Sequence, residues 1–365
     1  MNGNYLIGLR LEDLDTPSLC LDLPLMEGNI AKMAAFFAGR PAVLRPHTKT
    51  HKSPVLARKQ IAAGAVGVTC AKLGEAEAMV EGGIDDILIA NQIVGPRKIR
   101  RLANLAAYAR ITVAVDDGDN VAELSAAASA KGSQIGVLVE VDTGMGRCGV
   151  EPGEAALVLA RQIVAAPGLR FDGVMGYEGH TVNIPDAQER KREAEAALRS
   201  LVGTKELIEA AGLEVPVVSG GGTGTYDIAG AYPGVTEVQA GSYITMDVQY
   251  RDVVGIDFAC ALFVLAQVIS TPRPGVAVID GGLKTMTRDF GLPMVFEPQG
   301  WKLTGLSEEH GALVQEGGPP LKPGDRVKIW PNHGCTTINL HDWYVALRDG
   351  AVEGVWPVAG RGRIQ

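Results

Sequence analysis

The sequence predicts a (β/α)8 TIM-like barrel followed by a mainly antiparallel β domain, and three observations carry that prediction. From about residue 25 to 245, short apolar β-branched runs alternate with Ala-rich helical segments. Strand-length runs separated by helices imply parallel strands joined by crossovers. Eight such units in roughly 220 residues fit a closed barrel better than an open doubly wound sheet, which remains the competing architecture. After about residue 250 the rhythm changes to strand-like runs separated by Gly/Pro turns, with little helix between them.

The eight barrel strands, in order, are AVLRPHTK from Ala42, GVTCA from Gly67, ILIAN from Ile87 and ITVAVDD from Ile111. IGVLVEVD from Ile135, GVMGYEGH from Gly173, VPVVSGGG from Val215 and TEVQAGSY from Thr236 complete the set. GEAEAMVEGG, NVAELSAAASAKG and QERKREAEAALRSLVGTKELIEAAG are among the helical segments between them. FACALFVLAQVIST, GVAVIDGG, DRVKIWP, TTINLHDWYVALRDG and AVEGVWPV read as strands of the second domain. The expected division is a barrel over 25–250 and a β domain over 251–365 with 1–24, where TPSLCLDL pairs back onto the later strands.

A chain of 365 residues, 46% of them hydrophobic, suffices for about two domains with large cores. Charged residues make up 21% and the net charge is −8, which argues against disorder. The acidic balance, without a long Lys/Arg run, argues against nucleic acid as the main partner. No apolar run reaches the length of a membrane span, and the N-terminus lacks the features of a secretory leader. The five cysteines are an odd number with no close pairs, as expected of reduced thiols in a cytoplasmic protein.

Catalytic groups of such barrels sit at the C-terminal ends of strands, and the unusual polar residues fall there. The first strand ends in Arg45, His47, Lys49 and His51, and the fifth runs into Asp142-Thr-Gly-Met-Gly-Arg147. Tyr177, Glu178 and His180 end the sixth. Ser219, with Gly220, Gly221, Gly222, Thr223, Gly224 and Thr225, ends the seventh. Glu237, Gln239, Ser242 and Tyr243 end the eighth. Five ends in register predict one active-site mouth.

The run SGGGTGT lets backbone N–H groups approach an anion, and a helix start after it adds a positive dipole. Loops after strands seven and eight are the usual phosphate site of these barrels. A flexible turn is the plain alternative, and the absence of GKS or GKT excludes a P-loop. Lys49 at a strand end is a candidate Schiff-base amine, its pKa lowered by partial burial and by Arg45, Lys52 and His47. A phosphate-binding or merely solvated lysine is the alternative. His47 and His51 share its face if the strand continues. His333 and Cys335, two apart in a strand-like setting, share a face if extended, a weak metal signal by itself.

Arg45-Pro-His47-Thr-Lys49-Thr-His51-Lys52 resembles the cofactor-lysine motif of the D-threonine aldolase and D-serine dehydratase family, fold-type III pyridoxal-phosphate enzymes related to alanine racemase. The resemblance continues through Asp142-Thr-Gly-Met-Gly-Arg147-Cys-Gly-Val, Ser219-Gly-Gly-Gly-Thr-Gly, Glu237-Val-Gln239-Ala-Gly-Ser-Tyr243 and Pro331-Asn-His333-Gly-Cys335, and covers nearly the whole chain. It implies that Lys49 holds pyridoxal 5'-phosphate covalently and that Arg147 bonds its phenolic oxygen. The Gly221–Thr225 loop, Gly241 and Ser242 would hold the phosphate, with Ser219, Tyr177 and Tyr243 also at the cofactor. Gln239 would face the pyridine nitrogen, where a neutral amide leaves the ring a weaker electron sink than a carboxylate would.

The resemblance also implies a divalent metal on His333 and Cys335 that binds the substrate's β-hydroxyl. A thiolate favours zinc over manganese or magnesium. The implied substrate is a 3-hydroxy-D-amino acid and the implied assembly a homodimer. Two departures matter. Cysteine at 335 is typical of the family's dehydratases, where its aldolases have aspartate. Asn183 stands where aldolases tend to carry histidine, so His180 becomes the candidate base, beside Tyr177. SGGGTGTY and the tail HDWYVALRDGAVEGVWPVAGRG look aldolase-like. The reading is therefore an aldolase, with a dehydratase as the alternative and a racemase less favoured.

Overall fold

The computed structural model describes residues 4–365, which divide into two compact units. One comprises the described part of Met1–Ala31, Thr50–Ser53 and Ser242–Arg361; the other comprises Lys32–Lys49, Pro54–Gly241 and Gly362–Gln365. The later division thus falls at Gly241/Ser242, earlier than the expected 250/251, and the first unit takes more of the N-terminal segment than 1–24. Residues 1–3 of that segment lie outside the described residues.

The chain opens on strand β1 (Ser18–Asp22) and helix α1 (Leu23–Phe37). The eight predicted barrel strands follow as β2 (Val43–Leu44), β3 (Val68–Cys70), β4 (Asp86–Gln92) and β5 (Arg110–Val115), then β6 (Ile135–Glu140), β7 (Leu169–Met175), β8 (Val217–Gly220) and β9 (Glu237–Val238). Between them run α2 (Pro54–Ala62), α3 (Leu73–Glu81), α4 (Pro96–Leu105), α5 (Gly118–Lys131), α6 (Glu154–Ala165), α7 (Ala187–Ala210) and the single turn α8 (Tyr226–Ala229). Asp117 and Asp186 accept the N–H of Asn120 and Glu189 at 2.9 and 2.7 Å, capping α5 and α7.

The strands are all parallel in the order β2-β9-β8-β7-β6-β5-β4-β3. A bridge between His47 and Thr69 joins the two ends. Thr48 N donates to Thr69 O at 2.7 Å and Thr69 N to Pro46 O at 2.9 Å, so the ring closes as a barrel. Ile87, Ile89, Val113, Val115, Val137, Val139 and Val174 pack outward with helix residues such as Leu73, Leu102 and Leu124. The alternate positions Leu88, Ala114, Leu138 and Met175 form a separate cluster in the lumen. Burial on both faces explains why β6 is buried at every position and reads as one apolar run.

The first barrel strand is shorter than AVLRPHTK. Pro46 has no N–H for the ladder, and residues 48–51 form a turn rather than continuing the strand. The expectation that His47, Lys49 and His51 share a strand face fails for that reason.

In the other unit, β10 (Leu262–Arg273), β11 (Val276–Ile279), β12 (Met294–Glu297), β13 (Trp301–Leu306), β14 (Gly311–Gln315) and β15 (Arg326–Trp330) are followed by helix α9 (Gly334–Ile338) and strands β16 (Trp343–Arg348) and β17 (Ala351–Pro357). Every pairing is antiparallel except β1 with β16. β1 pairs with both β10 and β16, as the sequence suggested for TPSLCLDL. Leu14, Cys20, Phe263, Leu265, Val345 and Leu347 form its buried core. The segment TTINLHDWYVALRDG is not one strand: its first residues end α9, and only Trp343–Arg348 is extended. No helix of the described residues is long and apolar enough to cross a membrane.

Candidate active site

The barrel gathers its candidates around the ring of Tyr177. The Lys49 amine lies 5.7 Å from the ring centroid and the Arg147 guanidinium carbon 5.6 Å. Gly222 backs onto the same ring, where a Cβ would come within 3.3 Å of Cε2. Residues from the ends of β2, β6, β7 and β8 therefore meet at one place. Lys49 itself is exposed, where partial burial was expected. Nor is Arg45 an uncompensated cation beside it. Burial would pull the Arg45 guanidinium down, but the charges of Glu237 and Asp86 outweigh that and push it above its ordinary range.

The turn that carries Lys49 is pinned by its neighbours. The Lys49 N–H points to His47 Nδ1 at 3.4 Å, and the Thr48 hydroxyl donates to Thr69 O at 2.9 Å. In the other unit the Ser53 N–H donates to His51 Nδ1 at 3.1 Å. Both histidines thus use one ring nitrogen to fix local backbone. Gly241 packs closely beside the turn, since a Cβ there would sit 2.4 Å from His47 O.

The glycine loop is more committed than its composition suggested. Buried Glu178 accepts the Gly221 N–H at 3.1 Å and the Thr225 hydroxyl at 2.6 Å, and the Gly222 N–H goes to Thr225 Oγ1 at 3.1 Å. Three of the expected phosphate-binding positions thus spend these donors within the barrel. Burial pushes the Glu178 carboxyl above the usual carboxylate range, against the pull of its bonds to Thr225 and Gly221. Gly224 packs so tightly that a Cβ would lie 2.1 Å from Val182 O. Sequence reasoning missed Glu178 as the organiser of the loop; an acidic residue next to Tyr177 at the end of β7 was its only signal.

Arg147 lies 3.8 Å from Glu140. Burial pushes that carboxyl up, opposed by its bond from Gln92 and the Arg147 charge. Asp142 accepts the N–H of Gly146 and Gly144 at 3.0 Å each, and these bonds hold it below the usual range. Exposed His180 lies close enough for its charge to act on Asp142 and Glu178. Deeper in the barrel, Gln239 bonds to Ser219.

The other unit holds the second group. His333 stands immediately before α9, without a capping bond from its side chain, and Cys335 sits in the first turn. The extended pairing expected for them is therefore wrong, because Gly334 begins a helix there. The backbone tucks in because Asp247 accepts the Gly334 N–H at 3.1 Å. The two side chains nevertheless meet. Burial pulls His333 down, but bonds and charge from Cys335 and Asp289 outweigh it and push the imidazole up to about 9. Nδ1 of His333 lies 2.5 Å from Asp289 Oδ2, and Asp289 also accepts from the Thr287 and Thr336 hydroxyls at 2.9 and 3.1 Å. The Cys335 thiol lies 3.3 Å from Thr50 Oγ1 and 3.8 Å from Ser242 Oγ. Tyr243 is a buried ring packed 5.6 Å from Phe258. No cluster of three or more His, Cys, Asp or Glu able to hold a metal occurs among the described residues.

Two family descriptions match the chain: "Alanine racemase, N-terminal domain" over residues 21–249 and "Putative serine dehydratase domain" over 261–347. The chain is 41% identical to a 3-hydroxy-D-aspartate aldolase of Paracoccus denitrificans (strain Pd 1222), over 98% of this chain and 94% of that one. It is 40% identical to a D-threonine aldolase of Arthrobacter sp, over 97% and 95%. A D-threo-3-hydroxyaspartate dehydratase of Delftia sp. (strain HT23) is 35% identical over 93% and 96%.

The solved D-threonine aldolase of Filomicrobium marinum superposes with a TM-score of 0.95 at 41% identity, over 98% and 99%. D-threo-3-hydroxyaspartate dehydratase has also been solved as a His-to-Ala variant and, two positions further on, as a Cys-to-Ala variant in a metal-free form, both 33% identical to this chain over 96% of it. They cover 96% and 98% of those chains, with TM-scores of 0.88 and 0.86. With a match of this length, the chain belongs to the fold-type III pyridoxal-phosphate enzymes of the alanine racemase type, in the group of lyases that includes the D-threonine and 3-hydroxy-D-aspartate aldolases.

Proposed function

We propose that this protein is a metal-dependent pyridoxal-phosphate lyase that cleaves 3-hydroxy-D-amino acids, in the manner of D-threonine aldolase, to glycine and an aldehyde. The observation that carries the reading is the meeting of Lys49, Arg147 and the glycine loop on the Tyr177 ring. That set fits the cofactor: a primary amine for its aldehyde, a guanidinium for its phenolic oxygen, and a tight backbone loop for its phosphate. The Gly221–Thr225 loop, with Gly241 and Ser242, would hold the phosphate. When bound, the cofactor supplies an electron sink for the substrate's Cα.

The donor set of His333 and Cys335, one imidazole and one thiol, fits a divalent metal and favours zinc over manganese or magnesium. Such a metal supplies a Lewis acid for the substrate's β-oxygen. The variants solved in the dehydratase, a histidine and a cysteine two positions apart, one of them metal-free, have the same spacing.

The chain's own residues then divide the work. Lys49 would hold the cofactor through its amine. Arg147 is held over Tyr177 by Glu140. His180 would accept the proton of the substrate's β-hydroxyl as the Cα–Cβ bond breaks. In the dehydratase alternative, favoured by Cys335 and by the Delftia relative, Lys49 takes the α-proton and hydroxide leaves. A homodimer in the cytoplasm belongs to the same reading, and the five free cysteines accord with reducing surroundings.

The test is the purified holoenzyme with D-threonine and either Zn²⁺ or Mn²⁺. Glycine with acetaldehyde is the expected result. Formation of 2-oxobutanoate with ammonia makes the dehydratase correct. L-allo-Threonine as sole product, the result of inversion at Cα alone, unaffected by a chelator, makes the protein a racemase.

A further inference from the structure

The barrel contains a chain of hydrogen bonds that the steps above leave unused. Arg45 donates from Nη1 to Asp86 Oδ1 at 2.7 Å and from Nε to Glu237 Oε2 at 2.6 Å. The other Glu237 oxygen accepts the Ser219 hydroxyl at 2.8 Å. The Gln239 amide bonds to Ser219 Oγ at 2.9 Å. The Arg45 and Glu237 side chains are only 12% and 6% exposed, so little water competes with the chain.

Each link has one permitted direction. A guanidinium only donates, and a carboxylate in an ion pair only accepts. The Ser219 hydrogen is therefore committed to Glu237, and the Ser219 oxygen has room only for a donor from Gln239. Amide oxygen and nitrogen are ordinarily assigned from their surroundings, and here the surroundings allow one answer. The nitrogen of Gln239 faces Ser219 and the carbonyl oxygen faces away, where no donor meets it among the described residues.

We infer that this chain makes Gln239 present a hydrogen-bond acceptor to the cofactor's ring nitrogen and thereby holds that nitrogen protonated, with Ser219, Glu237 and Arg45 as positioning residues. The inference rests on the reading above, in which Gln239 faces the ring. A carbonyl oxygen opposite a bare ring nitrogen sets lone pair against lone pair, whereas opposite an N–H it makes a hydrogen bond. A protonated ring withdraws electrons from Cα more strongly than a neutral one. Residue type alone gave the opposite expectation for a glutamine.

The deciding measurement is ¹⁵N NMR of the holoenzyme loaded with ring-¹⁵N-labelled pyridoxal phosphate. The wild type is expected to show the shift of a protonated ring nitrogen at neutral pH. Glu237→Gln should reverse the chain. Its amide oxygen keeps Arg45, its NH₂ donates to Ser219, the Ser219 hydrogen turns to Gln239, and the Gln239 NH₂ turns toward the ring. The resonance then moves to the unprotonated position. Ser219→Ala, a smaller change, should make ring protonation follow solution pH.

An unprotonated ring in the wild type overturns the inference. So does a ring that stays protonated in folded, loaded Glu237→Gln or, where that variant does not fold, a resonance in Ser219→Ala that does not respond to pH. Failure of the underlying reading looks different: the wild type then shows no visible absorbance band of a lysine-linked cofactor, or keeps it after Lys49→Ala.

Discussion

The Lys49 turn and the start of α9 carry the same kind of sequence, with chemistry-bearing residues two apart: His47, Lys49 and His51 in one, His333 and Cys335 in the other. Both read as extended, and neither is. In the first, the ladder goes no further than the His47–Thr69 bridge and the backbone then turns, with His47 Nδ1 taking the Lys49 N–H. In the second, Asp247 takes the Gly334 N–H and a helix begins. Period-two spacing reports a strand only where ladder bonds continue. Where a strand ends, polar side chains take over the backbone bonds, and the spacing loses that meaning.

The two regions also differ in how their functional groups are held. The turn that carries Lys49 is fixed through its backbone, with the Lys49 N–H pointing to His47 Nδ1. His333 is held by its side chain, through Asp289, itself fixed by Thr287 and Thr336. Variants should therefore separate the two functions. Lys49→Ala is expected to abolish the absorbance band of the bound cofactor and lower turnover by at least about 10³-fold, within the range for losing a positioned catalytic group. Metal content should stay unchanged, and loss of the metal by plasma emission analysis would break the separation.

Cys335→Ala should do the reverse. Metal is lost and activity falls beyond the ~10–100-fold that a lost supporting partner costs, while the absorbance band survives. An unchanged metal content would remove Cys335 as a ligand.

Asp289→Asn keeps both ligands but weakens the hold on the His333 ring. Metal affinity, followed by competition with a chelating dye, is expected to fall by about 10–100-fold. Equal affinity would show that the ring needs no such support.

The smallest effect belongs to Gly241→Ala. Its Cβ would meet His47 O at 2.4 Å, so thermal unfolding should report a loss of about 1–3 kcal/mol, the usual cost of overpacking. A neutral result would mean the Lys49 turn yields easily, against the rigidity argued for it.

Much of this protein was legible before any coordinates. Ile87, Val113, Val137 and Val174 lie in apolar runs because barrel strands are buried on both faces. The motif residues at the strand ends likewise marked where Lys49, Tyr177, Arg147 and the glycine loop would gather. These are local signals, carried by side-chain type and period. What tertiary structure alone decided is how polar groups from distant segments satisfy one another. Glu178 claims donors of the glycine loop 43 and 47 residues away. Glu237 links Arg45 to Ser219 between neighbouring barrel strands, 192 and 18 residues away in sequence, and Asp289 reaches His333 from 44 residues away. A hydrogen bond depends on direction and distance between atoms, and neither quantity is written along a chain until it folds.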